Sequence, residues 1–413
     1  MNQELIRSLQ ELLPQIQGYI YPNEIEIHWG LLIVVYPYIT GIVAGAFILA
    51  SLVKVFNVKE VQPLYRLSLL TALAYLLVAP MALVSHLGHP ERFYEILLTP
   101  NTSSAMAMFG FVYAWYLMAV LLIEIWFVHR TDLIEWAEHE KGAMRFIHRA
   151  LALYSRDTGE RAVSFDHKAL KVITIVGIPS AFLLHGYVGF IFGSIKANPW
   201  WSSVLIPIVF LFSAIVSGVA LVILLYMVIT PLTGGKISMR CVDKAIDFLF
   251  YAVIVDFSLE LVDFIHRVYQ SEEEIQILSE MVMSKLFASL LIIQVLLGML
   301  LPLALISVTK IFKKRFHLSE DLRKMVYFIA VILIQFGIFA TRWNVVIGGQ
   351  MFSKSFRGLT TYKVEFGGIE GLLFAIALLA LPIVILVVLL KILPPWKEMR
   401  GEETAEAVEV TGS

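Results

Sequence analysis

Cysteine and charge are both scarce in this sequence. It has one cysteine, Cys241, which alone cannot form an internal disulfide or hold an iron–sulfur cluster or a cysteine-type zinc ion. Charged residues make up 16% of the chain, whereas soluble domains carry about 25%. The net charge of −1 implies no general attraction to nucleic acid. Redox chemistry would therefore need a diffusible cofactor, a haem held by histidines or a partner subunit.

Familiar enzyme and targeting motifs are also missing. The sequence has no Walker loop, Rossmann fingerprint, HExxH or GxSxG motif. Residues 1–27 lack the basic start and cleavage site of a signal peptide and are acidic and amphipathic, which predicts a short interfacial helix. The segment 394–413 is polar, which predicts a disordered tail. Nothing here indicates a soluble, nucleotide-dependent enzyme.

Hydrophobic residues are abundant, at 59% of the chain, and the mean hydropathy is +0.79. A hydrocarbon core of about 30 Å needs about 20 apolar residues per helix. The sequence therefore predicts an all-α polytopic membrane protein with about nine transmembrane helices. The nine segments lie at roughly 28–54, 64–86, 105–129, 169–192, 201–230, 243–267, 283–310, 323–346 and 371–391.

The basic residues predict how these helices are oriented. Of the 32 Lys and Arg residues, 23 fall on one side of the nine spans and nine on the other. Loops rich in Lys and Arg stay in the cytoplasm. We therefore expect a prokaryotic cytoplasmic (inner) membrane protein with its N-terminus outside and its C-terminus in the cytoplasm.

A short internal repeat suggests two halves. The sequence GIVAGAF in the first span resembles AIVSGVA in the fifth, although apolar stretches also match by chance. Four helices separate the copies, which would then be parallel. The repeat predicts two four-helix bundles, at 28–192 and 193–350, followed by an outer loop and ninth helix at 351–393. Small residues in both copies favour close helix packing.

Carboxylates are concentrated in the sixth span. Asp256, Glu260 and Asp263 are spaced to share one helical face, and His266 lies near its outer end. Ionisable groups inside a membrane are costly and are functional candidates. We interpret these four residues, with Glu124 of the third span, as a proton path. The alternative is a structural network in which the acids pair with Arg or Lys of neighbouring helices.

Further polar residues cluster in the outer half of the predicted bundles. A histidine beside an apolar cleft could bind the oxygens of a quinone and exchange its protons. Two alternatives remain open, namely interfacial anchoring and haem ligation by histidine pairs. The candidate quinone-binding residues are His28, His86, His89, Arg92, His185, Tyr187 and Arg342.

Several motifs resemble those of the NrfD/polysulfide reductase membrane subunit family. The resemblance to the family is carried by SHLGHPERF at Ser85–Phe93 and LLTPNTSSAM at Leu97–Met106. Two further stretches, ANPWWSSVLIPIVFLFSAIVSGVAL at Ala197–Leu221 and RWNVVIGGQ at Arg342–Gln350, look like the longer branch of that family, which includes DsrP of the sulfite-reduction-associated transmembrane complex and HybB. The resemblance spans about residues 28–350.

The resemblance implies a membrane subunit of a quinone-dependent oxidoreductase complex, with menaquinone or ubiquinone near the outer face. It implies no covalent haem or iron–sulfur cluster in this chain. A ferredoxin-like iron–sulfur subunit would dock outside, beside other membrane and cytochrome subunits. His28 matches the family's quinone-site histidine, whereas His86 stands where the family often has an acid. Proton translocation, a proton-coupled solute transporter and a passive anchor remain further options.

Overall fold

The computed structural model describes most of the chain between Ile27 and Trp396. The predicted interfacial helix at 1–27, except its last residue, and most of the predicted tail lie outside the described residues. The described ranges are 27–101, 103–270, 275–316, 318–352 and 359–396.

Within these ranges the fold is built from nine long helices, which confirms the prediction of an all-α polytopic membrane protein. Eight are long and apolar enough to cross a membrane, and α6 fails that criterion because of its charged residues. The helices are α1 Leu31–Lys54, α2 Gln62–His86, α3 105–139, α4 Glu160–Gly193, α5 Ile206–Leu232, α6 Met239–Gln270, α7 275–316, α8 Glu320–Gly348 and α9 Leu372–Ile392.

Several helices depart from the predicted bounds: α3 ends at 139 rather than 129, α7 covers 275–316 rather than 283–310, and α1 and α4 begin at different residues. Helix α1 begins at Leu31, so that His28 precedes the helix. Helix α4 begins at Glu160 rather than near 169 and spans 34 residues. At 1.5 Å per residue α4 is about 51 Å long, well beyond a hydrocarbon core of about 30 Å. Its polar first turns therefore extend past the apolar region, where a hydropathy argument does not detect them.

Contacts at the two ends show that α1 and α5 begin at one end, whereas the start of α6, the end of α7 and the start of α8 meet at the other. At one end, called the Trp200 end, Trp29 stacks on Trp201 with ring centroids 5.8 Å apart. At the opposite end, called the Arg323 end, the carboxylate of Asp243 binds Lys313 at 2.6 Å and also contacts Arg323.

Helices α3 and α7 contain π-helical turns, at Trp115–Leu121 in α3 and at Met281–Lys285 and Phe287–Leu300 in α7. A π turn contains more residues than an α turn and is frequent at functional sites. The π segment Phe287–Leu300 faces the cavity described below.

Helices α1 and α5 cross at the two stretches that resemble each other in sequence. A Cβ added at Gly45 would overlap the carbonyl oxygen of Ala214 and lie 2.9 Å from the Cα of Gly218. A Cβ added at Gly41 would lie 3.6 Å from the Cα of Ala214. The two copies thus meet each other in register, with backbone against backbone.

We expect Gly45→Ala to destabilise the protein by about 1–3 kcal/mol or more, because the added methyl overlaps the α5 backbone. Thermal unfolding of the detergent-solubilised protein measures the change. Gly88→Ala is the matched control, since nothing lies within 4 Å of a Cβ at Gly88. Equal melting temperatures for the two variants would contradict the close crossing.

Candidate functional site

A buried arginine lies at the centre of the polar residues. Arg342, near the end of α8, has 0% of its surface exposed. Its Nη2 donates to Ser213 Oγ of α5 at 2.6 Å and lies 3.2 Å from His185 Nε2 of α4. Its guanidinium packs over the ring of Phe210, 4.2 Å from the centroid. One side chain thereby links the two predicted halves of the chain.

The hydrogen bonds around His185 define its tautomer. Arg342 is always a donor, so His185 Nε2 accepts and the proton is on Nδ1. His185 Nδ1 lies 3.2 Å from Thr40 Oγ1, which donates to the carbonyl of Tyr36 at 3.1 Å. The imidazole also stacks on Phe210, with centroids 5.6 Å apart. Gly41 makes room for this ring, since a Cβ there would lie 3.3 Å from it.

Asp256 of α6 faces the same region without direct hydrogen bonds. The residue is 1% exposed, and among the described residues neither carboxylate oxygen has a hydrogen-bond partner. Its charge interacts with those of Arg342 and Glu260. Arg342 Nε and Nη1 also lack partners among the described residues. Buried polar groups are normally hydrogen-bonded, so these unpartnered atoms of Asp256 and Arg342 are exceptional positions in the interior.

Glu260, one turn after Asp256, accepts hydrogen bonds from a network of side-chain amides and hydroxyls. Gln294 Nε2 donates to Glu260 Oε2 at 2.8 Å, and Thr341 Oγ1 donates to Oε1 at 3.4 Å. Asn344 Nδ2 in turn donates to Gln294 Oε1 at 2.6 Å. Ser289 Oγ donates to Asn344 Oδ1, also at 2.6 Å. Helices α6, α7 and α8 therefore place one carboxylate in a defined orientation.

Glu260 lines an apolar cavity of about 230 Å³ between α5, α6, α7 and α8. Phe210 forms part of its wall and separates it from the Arg342 guanidinium. The polar residues of the lining include Glu260, Gln294, Thr341 and Asn344, and the apolar ones include Val209, Phe257, Leu261, Leu291 and Val295. An apolar cavity with a few converging polar groups is typical of a small-molecule site.

Asp263, one turn further along α6, has a different environment. Its carboxylate accepts from Ser203 and pairs with Arg267. Arg267 also donates to the Trp200 carbonyl at 2.6 Å and lies 4.8 Å from that ring's centroid. Asp263 therefore forms an ion pair that closes the Trp200 end of the cavity. This agrees with the alternative interpretation of the acids, in which they form a structural network with basic residues.

The predicted quinone-binding residues near the Trp200 end do not form one cluster, unlike the residues around Arg342. His86 Nδ1 lies 2.6 Å from Glu370 Oε1, which connects α2 to the start of α9. His89 and Arg92 are exposed and pair with Glu91 and Glu95. His28 is exposed as well.

Three further candidates lie apart from the Arg342 cluster. Glu124 is buried in α3 and accepts from Thr174 at 2.8 Å and Tyr65 at 3.2 Å. Thr174 precedes His185 on α4 by about 16 Å along the helix axis. Tyr187 and His266 are half-buried.

The structure also brings in residues that sequence patterns did not single out. Gln294 is an amide in an otherwise strongly apolar segment, which is a signal that could have indicated it. Thr341 and Ser213 carried no signal, because such hydroxyls normally bond to their own helix backbone. Glu370 lies 284 positions from His86, so no local spacing indicates that pair.

Comparison with known proteins identifies the family. Residues 22–354 match the family described as polysulphide reductase, NrfD. The chain belongs to the NrfD family. As an NrfD-family protein with multiple apolar helices, it is a multi-pass membrane protein, and several of its relatives are named as reductase subunits.

Curated relatives of this NrfD-family chain come from bacteria and archaea. A selenate reductase subunit of Mesobacillus selenatarsenatis is 32% identical over 77% of this chain and 73% of its own length. The Hdr-like menaquinol oxidoreductase integral membrane subunit of Archaeoglobus fulgidus is 23% identical over 82% and 75%. Protein NrfD of Escherichia coli is 26% identical over 48% and 58%.

The Arg342–Asp256 pair generates a stability prediction. We expect Arg342→Met to destabilise the protein by about 1–3 kcal/mol, because the buried Ser213 and His185 lose their hydrogen-bond donor and Asp256 loses a nearby positive charge. Arg342→Met with Asp256→Asn should recover part of this loss in a double-mutant cycle of detergent unfolding. A double variant no more stable than Arg342→Met would show that the two charges are not coupled.

Proposed function

We propose that this chain is the quinone-interacting membrane subunit of a respiratory electron-transfer complex. It would exchange electrons between menaquinone or ubiquinone and an iron–sulfur partner subunit at the outer face. The observation that carries the proposal is the apolar cavity lined by the oriented Glu260 carboxylate, while the other lining carboxylate, Asp263, is paired with Arg267.

The residues of the cavity fit a quinone head group. Phe210, Phe257 and Leu291 provide apolar and aromatic walls, and the Asn344 and Gln294 amides lie at the polar side. A bound quinone supplies two-electron, two-proton redox chemistry. The protein's part is to exclude water from the ring, orient its oxygens and exchange protons with them.

Glu260 is the residue placed to exchange those protons. Its carboxyl group is oriented by Gln294 and lies one helical turn from Asp256, whose oxygens are unpartnered among the described residues. A proton released at Glu260 would be taken up by Asp256, and the charge left behind would be balanced by Arg342. This sequence of acids is also the start of a route for proton translocation.

Topology and the relatives support the remaining parts of the proposal. The distribution of basic residues favours placing the Trp200 end outside the cytoplasmic membrane. Exposed Phe93, Leu97 and Leu98 at that end offer an apolar surface for a partner subunit. One relative is named as a menaquinol oxidoreductase subunit. Haem ligation is less well supported, since both ring nitrogens of His185 already have polar neighbours.

Cavity occupancy is tested by filling the cavity with a larger side chain. We expect Val295→Trp to weaken binding of a short-chain naphthoquinone by at least about tenfold, because the indole would occupy the cavity. Binding is measured on the purified chain in detergent by isothermal titration calorimetry. Leu296→Trp is the matched control, since Leu296 is the next residue but is 52% exposed. Unchanged affinity in Val295→Trp would refute this location.

Proton exchange is tested with Glu260→Gln in the assembled complex. We expect quinone-dependent turnover to fall by about 10²-fold or more, as is usual when a general acid or base is removed. Asp247→Asn on the same helix is the control, because Asp247 is half-exposed, pairs with Lys310 and does not line the cavity. Normal turnover and an unchanged proton-to-electron ratio in Glu260→Gln, together with a defect in His28→Ala, would move the quinone to the first half of the chain.

A further inference from the structure

The first turns of α4 expose basic side chains on the surface of the first predicted bundle. Lys168 and Lys171 are exposed, and the same groove is lined by Ser164, His167 and Glu160. Residues three, four and seven positions apart on a helix share one face, so Ser164, His167, Lys168 and Lys171 form a single stripe. None of them belongs to the cavity or to the Arg342 cluster.

Aromatic residues show where this stripe lies relative to the lipid. Phe165 is 64% exposed, and its ring lies 6.1 Å from that of Phe127, next to Trp126. Tryptophan side chains such as Trp126 favour the headgroup level of a membrane. Beyond Lys171, Val172 is 61% exposed and begins the apolar surface that faces lipid. Lys168 and Lys171 therefore lie where the apolar surface begins, and their long side chains can extend outward to the level of the lipid phosphates.

The preceding segment adds an amphipathic surface at the same end. The short helix Ala143–Leu151 exposes Phe146 at 66% and also exposes Arg145. It is held in place by His148, whose Nε2 lies 2.8 Å from the carbonyl of Ile392 at the end of α9. A basic amphipathic helix is typical of an element that lies in the interface plane.

The charge balance of this surface is positive. Between residues 141 and 171 the bases outnumber the acids, and the Asp166 carboxylate is already neutralised by Arg130 at 2.6 Å. Glu160 remains as an acid of the groove itself. A ligand for this surface must carry negative charge beside an apolar body, which is the chemistry of an anionic phospholipid.

We propose that Ser164, His167, Lys168 and Lys171 of α4 form a headgroup site for an anionic phospholipid, whose acyl chains lie along Val172 and Ile175. The two lysines provide charge for the phosphate, and the Ser164 hydroxyl provides a neutral donor. The site is independent of quinone binding.

The test compares phosphatidylglycerol with phosphatidylcholine on the purified full-length chain in detergent. Native mass spectrometry counts retained lipids, and thermal unfolding measures stabilisation. We expect phosphatidylglycerol to be retained and to raise the melting temperature more than phosphatidylcholine. Lys168→Gln with Lys171→Gln should weaken its binding by about 30-fold, from about 1 kcal/mol per basic residue.

Lys196→Gln with Lys363→Gln is the control, because it removes the same charge from exposed positions at the opposite end. This control should keep the preference for phosphatidylglycerol. The proposal is overturned if both double variants lose the preference equally, or if the wild-type chain does not discriminate between the two lipids. It is also overturned if inorganic phosphate alone reproduces the stabilisation.

Discussion

A fully buried guanidinium imposes the main constraint on this structure. Arg342 has no exposed surface, and a charge in that position is stable only if opposite charge and hydrogen-bond acceptors surround it. Ser213 and His185 supply acceptors, and Asp256 and Glu260 are the acidic side chains that interact electrostatically with the guanidinium. Because these groups come from four different helices, the cost of burying one arginine determines how α4, α5, α6 and α8 must be arranged.

The three acids of α6 carry the same functional group but have different surroundings. All were expected on one face, yet the structure gives each a separate setting. Asp263 is engaged by Arg267 and Ser203, Glu260 is oriented by amides beside a cavity, and Asp256 has no hydrogen-bond partner among the described residues. Periodicity placed these residues on α6 but could not assign their partners, because those belong to helices far away in the chain.

Hydropathy and family resemblance were sufficient to predict the helical membrane fold, since burial in lipid requires long apolar segments. The small residues of α1 and α5 likewise predicted close packing, although not that the two stretches pack against each other. Glu370 beside His86 and Gln294 beside Glu260 could not be predicted in the same way. Each pair is formed by helices whose contact depends on the whole bundle, and no spacing within one helix encodes it.

The crossing of α1 with α5 restricts how the molecule moves. At Gly45 and Gly218 the two backbones touch without intervening side chains. No flexible side chains therefore lie between α1 and α5 that could rearrange and let one helix slide across the other. We expect less movement at this crossing than in the peripheral helices, because displacing one backbone would make it overlap the other. A crossing that moves little is suited to holding reacting groups at a constant separation.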